Sequence, residues 1–232
     1  MITLRKAAAR GHADHGWLRS WHSFSFADYH DPAHMNWGPL RVINEDIVAP
    51  GTGFGRHGHR DMEIVTYLLS GPLRHEDSMG HGATFRAPEV QRMSAGRGVM
   101  HSEFNASDSE PVHLLQIWIE PDVRGIAPEY EQKAFPDAAK RDRWCAIASP
   151  DGRDGSLTIH QDALLFATKV GAGGTANYEL AAGRRAYLHV VSGAVTLDGS
   201  ELTGGDAAMI ADSGHLDIAA QDTTELLLFD LP

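Results

Sequence analysis

Residues 55–71 read "GRHGHRDMEIVTYLLSG", and residues 94–105 read "SAGRGVMHSEFN". Each stretch holds two potential metal ligands one residue apart: His57 and His59 in the first, His101 and Glu103 in the second. On a β-strand, side chains at i and i+2 point to the same face. Each pair therefore looks into one space from one strand. If the two strands face each other across a barrel, the four side chains converge on one point. Three imidazoles and a carboxylate suit a divalent transition metal such as iron, manganese, nickel, copper or zinc. An octahedral ion so held keeps two positions open, enough for a substrate and a small molecule such as dioxygen.

The surrounding sequence favours that geometry. Period-two alternation dominates in "MEIVTYLLSG", "VHLLQIWIE", "RRAYLHVVSG", "AVTLDG" and "ELLLFDLP", each ended by turn residues. "VVSGAVTLDG" reads as a hairpin about Ser192-Gly193. Short strands at this spacing predict an all-β chain of sandwich or barrel type. Residues 120–144, "EPDVRGIAPEYEQKAFPDAAKRDRW", break the pattern; they are polar, hold three prolines, and leave room for one helical turn after Pro136. The chain is thereby divided into an N-terminal metal-binding domain at 1–125, a linker at 126–143 and a C-terminal domain at 144–232. The outline strand–Ser-Gly–strand occurs in both parts, at Ser70-Gly71 and Ser192-Gly193, and hints at duplication of one barrel unit.

Composition bounds the rest. The chain has 232 residues, 42% of them apolar, and a formal charge of −11. So acidic a surface repels phosphate backbones, so direct nucleic-acid binding is not expected, while a protein partner is not excluded. The lone Cys145, read as a small buried residue beside Trp144, cannot form an internal disulfide and suits a reducing compartment. The first residues lack the apolar core of a secretory signal, and no stretch approaches the ~18 apolar residues of a membrane span. A cytoplasmic protein is expected.

Gly51, His57, His59, Glu63 and Gly71 stand at the spacing of a first cupin motif, and Gly98, His101 and Asn105 at that of a second. With "HSFSFADYHDP", "LRVINED", "HEDSMGHG", "VHLLQIWI" and "YEQKAF", the chain resembles the pirin family of bicupins, and especially bacterial pirin-like proteins described as quercetin 2,3-dioxygenases. The resemblance spans the chain and is tightest over residues 17–130. It implies two double-stranded β-helix barrels with one metal ion, in the first barrel only. The implied ligands are His57, His59, His101 and Glu103. Iron(II) is the leading expectation, with zinc, nickel, cobalt, manganese or copper also fitting. Cupins in general take their carboxylate from the first motif, here Glu63; spacing does not choose, and the pirin pattern favours Glu103, leaving Glu63 facing solvent or supporting the site. The implied activity is dioxygenolytic opening of a flavonol heterocycle with release of carbon monoxide, Glu103 serving as base. The alternative is a metal-containing regulatory protein that senses redox state and binds partners without turnover.

The remaining candidates are secondary. His12, His15, His22, His30 and His34 lie with Trp17, Trp21, Phe24, Phe26 and Trp37 in a loop-rich stretch that could wall a pocket for a flat aromatic ligand, though simple packing explains each singly. Phe54, Met100, Phe104 and Trp118 are candidate apolar walls. His75 and His81 read as loop residues or supports, His113 as a hydrogen-bonded core residue. His160, His189 and His215 lack partners at ligand spacing, so the C-terminal half reads as structural.

Overall fold

In the computed structural model, which describes residues 2–212 and 214–232, the period-two stretches become strands and the chain is all-β apart from short turns of helix. The first unit contains β2 (Gly11–Asp14), β3 (Leu18–His22), β4 (Leu40–Val48), β5 (Gly53–His59), β6 (Glu63–Ser70), β7 (Pro72–Asp77), β8 (Gly82–Arg86), β9 (Glu89–Ser94), β10 (Val99–Asn105), β11 (Val112–Ile119) and β12 (Glu129–Ala134), following a short β1 (Ile2–Arg5). They form a seven-stranded sheet, β12-β9-β6-β11-β4-β3-β2, and a four-stranded sheet, β5-β10-β7-β8, which together make a barrel. One helical turn, α1 (Asp137–Lys140), follows Pro136 as expected.

The second unit repeats the plan. It holds β13 (Cys145–Ser149), β14 (Leu157–Thr158), β15 (Leu164–Val170), β16 (Tyr178–Leu180), β17 (Arg185–Ser192), β18 (Ala194–Leu197), β19 (Ser200–Thr203), β20 (Ala207–Ile210), β21 (Gly214–Leu216), β22 (Ile218–Ala220) and β23 (Thr224–Leu231). Its large sheet runs β1-β20-β17-β23-β15-β13-β14, opposed by the smaller sheets β19-β18-β22 and β16-β21.

The two large sheets meet face to face. Strand β6 is buried on both sides because one face lines the first barrel and the other meets the second. Val65 and Tyr67 join Leu115 and Ile117 from the first unit and Leu165, Tyr187, Leu227 and Phe229 from the second in a single apolar cluster. Each fully buried Leu or Phe there contributes roughly 1.5–3 kcal/mol. We keep the division at 1–125 and 144–232 as a proposal. Two strands tie the units across it: β1 pairs with β20 in the second sheet, and β12, inside the expected linker, pairs with β9 in the first. The N-terminal stretch, expected to be loop-rich, supplies β1, β2 and β3.

The expected hairpin at Ser192-Gly193 does not form. Strand β17 pairs with β20 and β23, whereas β18 pairs with β19 and β22. The glycine is a corner where the chain leaves one sheet for another. Gly71 does the same between β6 and β7. Both have left-handed backbone, φ +78° at Gly71 and +84° at Gly193. A Cβ would lie 2.5 Å from the Pro111 carbonyl oxygen at the first corner and 2.4 Å from the Thr224 hydroxyl at the second. Glycine alone satisfies both demands, which accounts for the repeated Ser-Gly outline.

Candidate metal centre

Strands β5 and β10 pair antiparallel with His57 opposite His101. Along β10, Val99, His101, Glu103 and Asn105 are buried while the residues between them are less so, the alternation of a strand with one face in a barrel. A bulge between His101 and Glu103 shifts the register to β5. The nitrogens of His57, His59 and His101 lie within 4.8 Å of one another, and ring centroids are 4.4–4.8 Å apart. His75, His101 and Glu103 form a second, overlapping group, fully buried. Asn105 holds the loop that follows β10, donating to the Glu110 and Val48 carbonyls.

Hydrogen bonding fixes which nitrogens are free. His57 Nδ1 lies 2.8 Å from the Gly55 carbonyl, so it carries the proton and leaves Nε2 with a lone pair. That Nε2 sits 3.0 Å from His101 Nε2. With His101 Nε2 unprotonated as well, the two lone pairs face one point that a cation would fill. A separation of about 3 Å is what two metal–nitrogen bonds of about 2.1 Å make at right angles. The donor set therefore fits a divalent transition metal on this structure's own geometry. Burial, reinforced by His57, lowers the His59 pKa to about 4, and burial with His57 and then His59 lowers that of His101 to about 2. Both rings are neutral at physiological pH, the form that ligates.

Glu103 is 3% exposed. Gln116 Nε2 donates to its Oε2 at 3.0 Å, and the Thr66 hydroxyl, which donates to Gln116 Oε1, lies 3.4 Å from Oε1. Burial and then the nearby Asp46 push its pKa up to about 7. Asp46 is itself raised to about 6 by burial, against a hydrogen bond from Ser20.

Glu63 points elsewhere. It is 1% exposed, accepts a hydrogen bond from Ser94 at 2.7 Å, and neighbours Arg92 and His160 of the second unit. It is neither solvent-facing nor in either donor group among the described residues. The turn between β5 and β6 resets the alternation, so even spacing from His59 says nothing about its direction.

A cavity of about 660 Å3 opens beside the cluster, reaching His57, His59 and Glu103. Its apolar walls are Trp17, Phe26, Tyr29, Phe54 and Trp118; its polar side is Ser20, His22, Asn44, Asp46 and Gln116. Of the N-terminal candidates, His12, His15, His22, Trp17 and Phe26 line it, whereas Phe24 and Trp37 belong to the core and His30, His34 and Trp21 are not part of the wall. Phe54 and Trp118 are walls as expected. Met100 lies instead in a separate shallow pocket with Arg60 and Arg97, and Phe104 carries the Arg74 guanidinium 5.8 Å from its ring centroid. Of the polar side only His22 was a candidate in the sequence, although Ser20/His22 and Asn44/Asp46 carry the same i, i+2 signature as the histidines. His75, read as a loop residue or a support, is a fully buried residue of β7 opposite Glu103, which leaves the second reading. His113 is less buried than expected, 31% exposed and bonded to Glu45. Cys145 is partly buried against the shared core.

The second barrel has no equivalent cluster among the described residues. Glu179 and His215 pair across β16 and β21 as His57 and His101 do across β5 and β10, but they point outward and pair with each other on the surface. Leu180, Leu188, Val190, Val195, Leu216 and Leu228 fill the interior instead.

Comparison with known proteins assigns a different family model to each unit. Residues 3–119 match the family model described as Pirin, and residues 146–231 the one described as quercetinase C-terminal cupin domain. The chain is 49% identical over 232 residues to quercetin 2,3-dioxygenase of Escherichia coli K12, covering 100% of this chain and 99% of that protein. It is 42% identical to a pirin-like protein of Caulobacter vibrioides, covering 99% of each. The crystal structure of Escherichia coli YhhW superposes with a TM-score of 0.97 at 49% identity, over 100% of this chain and 98% of that one. The complex of bacterial pirin YhhW with nickel(II) superposes with a TM-score of 0.96 at 48% identity, over 100% and 99%. No helix among the described residues is long and apolar enough to cross a membrane.

Proposed function

The chain belongs to the pirin family, and from that premise we propose that it is a metal-dependent dioxygenase of the quercetin 2,3-dioxygenase type. In this reading it opens the heterocycle of a flavonol with dioxygen and releases carbon monoxide. The observation that carries the reading is the cluster of three imidazoles, with the Nε2 atoms of His57 and His101 3.0 Å apart, at the end of a largely aromatic cavity of about 660 Å3. His57, His59, His101 and Glu103 would hold one divalent transition ion, which we take to be iron(II). When bound, that ion supplies Lewis acidity toward a phenolic oxygen and a site for dioxygen chemistry.

The chain's own residues do the rest. Glu103, held by Gln116 and with its proton affinity raised by burial, accepts the proton of the flavonol 3-hydroxyl. Trp17, Phe26, Phe54 and Trp118 hold the flat ring system and keep water from the reacting carbon. Asp46 and Asn44, on the polar side, are placed to meet hydroxyl groups of the substrate. The lone Cys145 supports a reducing, cytoplasmic setting.

The test is aerobic incubation of iron-loaded protein with quercetin, following flavonol absorbance, oxygen uptake and carbon monoxide. Stoichiometric consumption and release support the reading. Quercetin unchanged in protein with a full complement of metal would overturn it in favour of a regulatory pirin.

A further inference from the structure

We infer that His75 is a positioning residue for His101, fixing the tautomer in which His101 Nε2 faces the metal position. The inference rests on the metal site proposed above. It follows from a chain of hydrogen bonds that begins at Asp77. The Asp77 side chain is fully buried, and its Oδ1 accepts the backbone N–H groups of Met79 at 2.8 Å and His81 at 3.0 Å. Its Oδ2 lies 3.2 Å from His75 Nε2. A carboxylate only accepts, so His75 carries its proton on Nε2. His75 Nδ1 then has a lone pair. Gln91 Nε2 donates to it at 3.2 Å, the amide orientation this lone pair demands. His101 Nδ1 lies 3.5 Å from the same His75 Nδ1. Of these two nitrogens only that of His101 can be the donor, sharing the His75 lone pair with the Gln91 amide in a three-centre bond. With Nδ1 protonated, His101 keeps its lone pair on Nε2, the atom 3.0 Å from His57 Nε2.

The Gly55 carbonyl does for His57 what His75 does for His101. The difference is that a second imidazole and a buried carboxylate stand behind His101, orienting its ring and increasing its basicity. Strand pairing makes this possible: β7 sets His75 opposite Glu103 and Asp77 opposite His101.

The test compares H75L with H75N. Leucine removes the acceptor, whereas asparagine places an amide oxygen where His75 Nδ1 stands. Nickel(II) and cobalt(II) affinities are measured by chelator competition, with the cobalt(II) absorption spectrum and the melting temperature of the metal-free proteins. H75L should lose about 10–100-fold in affinity, the usual range for such supporting partners, with a changed cobalt spectrum, and H75N should restore most of both. Equal losses in the two variants would overturn the inference, as would loss of a nitrogen ligand from the cobalt spectrum of H75L, which would make His75 a ligand. Should H75L not fold, long-range 1H–15N NMR of the metal-free wild type decides: a His101 protonated on Nδ1 supports the inference and one protonated on Nε2 overturns it. Wild-type protein that binds neither metal would count against the metal site itself, and the NMR tautomer would still answer for His75.

Discussion

Metal binding by the metal-free protein should tighten about tenfold between pH 6 and pH 8, and Glu103 should account for that rise. Glu103 must be ionised to ligate, and its pKa is pushed up to about 7 by burial and Asp46. With that value roughly one carboxyl in eleven is ionised at pH 6 and roughly ten in eleven at pH 8. The ratio is the expected gain in affinity. An ordinary glutamate, near 4.3, would be ionised throughout and contribute nothing. His59, at about 4, and His101, at about 2, have already lost their protons at pH 6 and add no slope. The sign is fixed: the metal competes with a proton on Glu103, so affinity rises with pH. Nickel(II) affinity, measured by competition with a chromophoric chelator whose own protonation is corrected for, gives the profile. The E103Q variant should bind more weakly and with a shallower profile over this range. A flat wild-type profile, or the same rise in E103Q, would refute the reasoning.

Four other outcomes follow. E103Q at saturating metal should retain the ion but lose about 10²–10⁴-fold in quercetin turnover, the contribution of a general base; wild-type-like oxygen uptake would remove that role. Gly71→Ala forces a Cβ to 2.5 Å from the Pro111 oxygen at φ +78°; the left-handed backbone alone costs about 1–2 kcal/mol, so differential scanning calorimetry should record a melting temperature lower by at least about 2 °C. Leu188→Ala, in the filled second barrel, should cost about 2–5 kcal/mol in chemical denaturation while metal stoichiometry stays the same, and loss of the metal would mean that the second barrel does more than support. Trp118→Ala removes a ring set edge-on to His59 at 4.9 Å; KM for quercetin should rise about tenfold with metal content unchanged, and an unchanged KM would take Trp118 out of the substrate wall.

What the sequence made legible is what local geometry decides. Alternation along a single strand puts His101 and Glu103 on one face, and β10 is buried at those positions. The same rule turns Met100 and Phe104 to the opposite face, so their assignment to the cavity wall conflicted with the alternation that placed the ligands. Glu63 was ambiguous because the turn after His59 interrupts the strand, and alternation does not carry across a turn. Pairing between distant strands was not legible. The Ser192-Gly193 corner has the residues of a hairpin, yet β18 continues into another sheet. His75 reached the site only because β7 lies beside β10, and β1 joined the second unit by pairing with β20 nearly the whole chain away. The polar side of the cavity was written in i, i+2 pairs on β3 and β4, but apart from His22 these residues did not stand out, because nothing local shows that β3 and β4 face the histidine cluster.

The central claim is one cation shared by His57, His59, His101 and Glu103. Anomalous diffraction from crystals of metal-replete protein, collected on both sides of the absorption edge of the bound metal, tests it directly. The account predicts a single strong peak within bonding distance of three Nε2 atoms and a Glu103 carboxylate oxygen. A peak bounded instead by His75, or no peak in the first barrel, would contradict it.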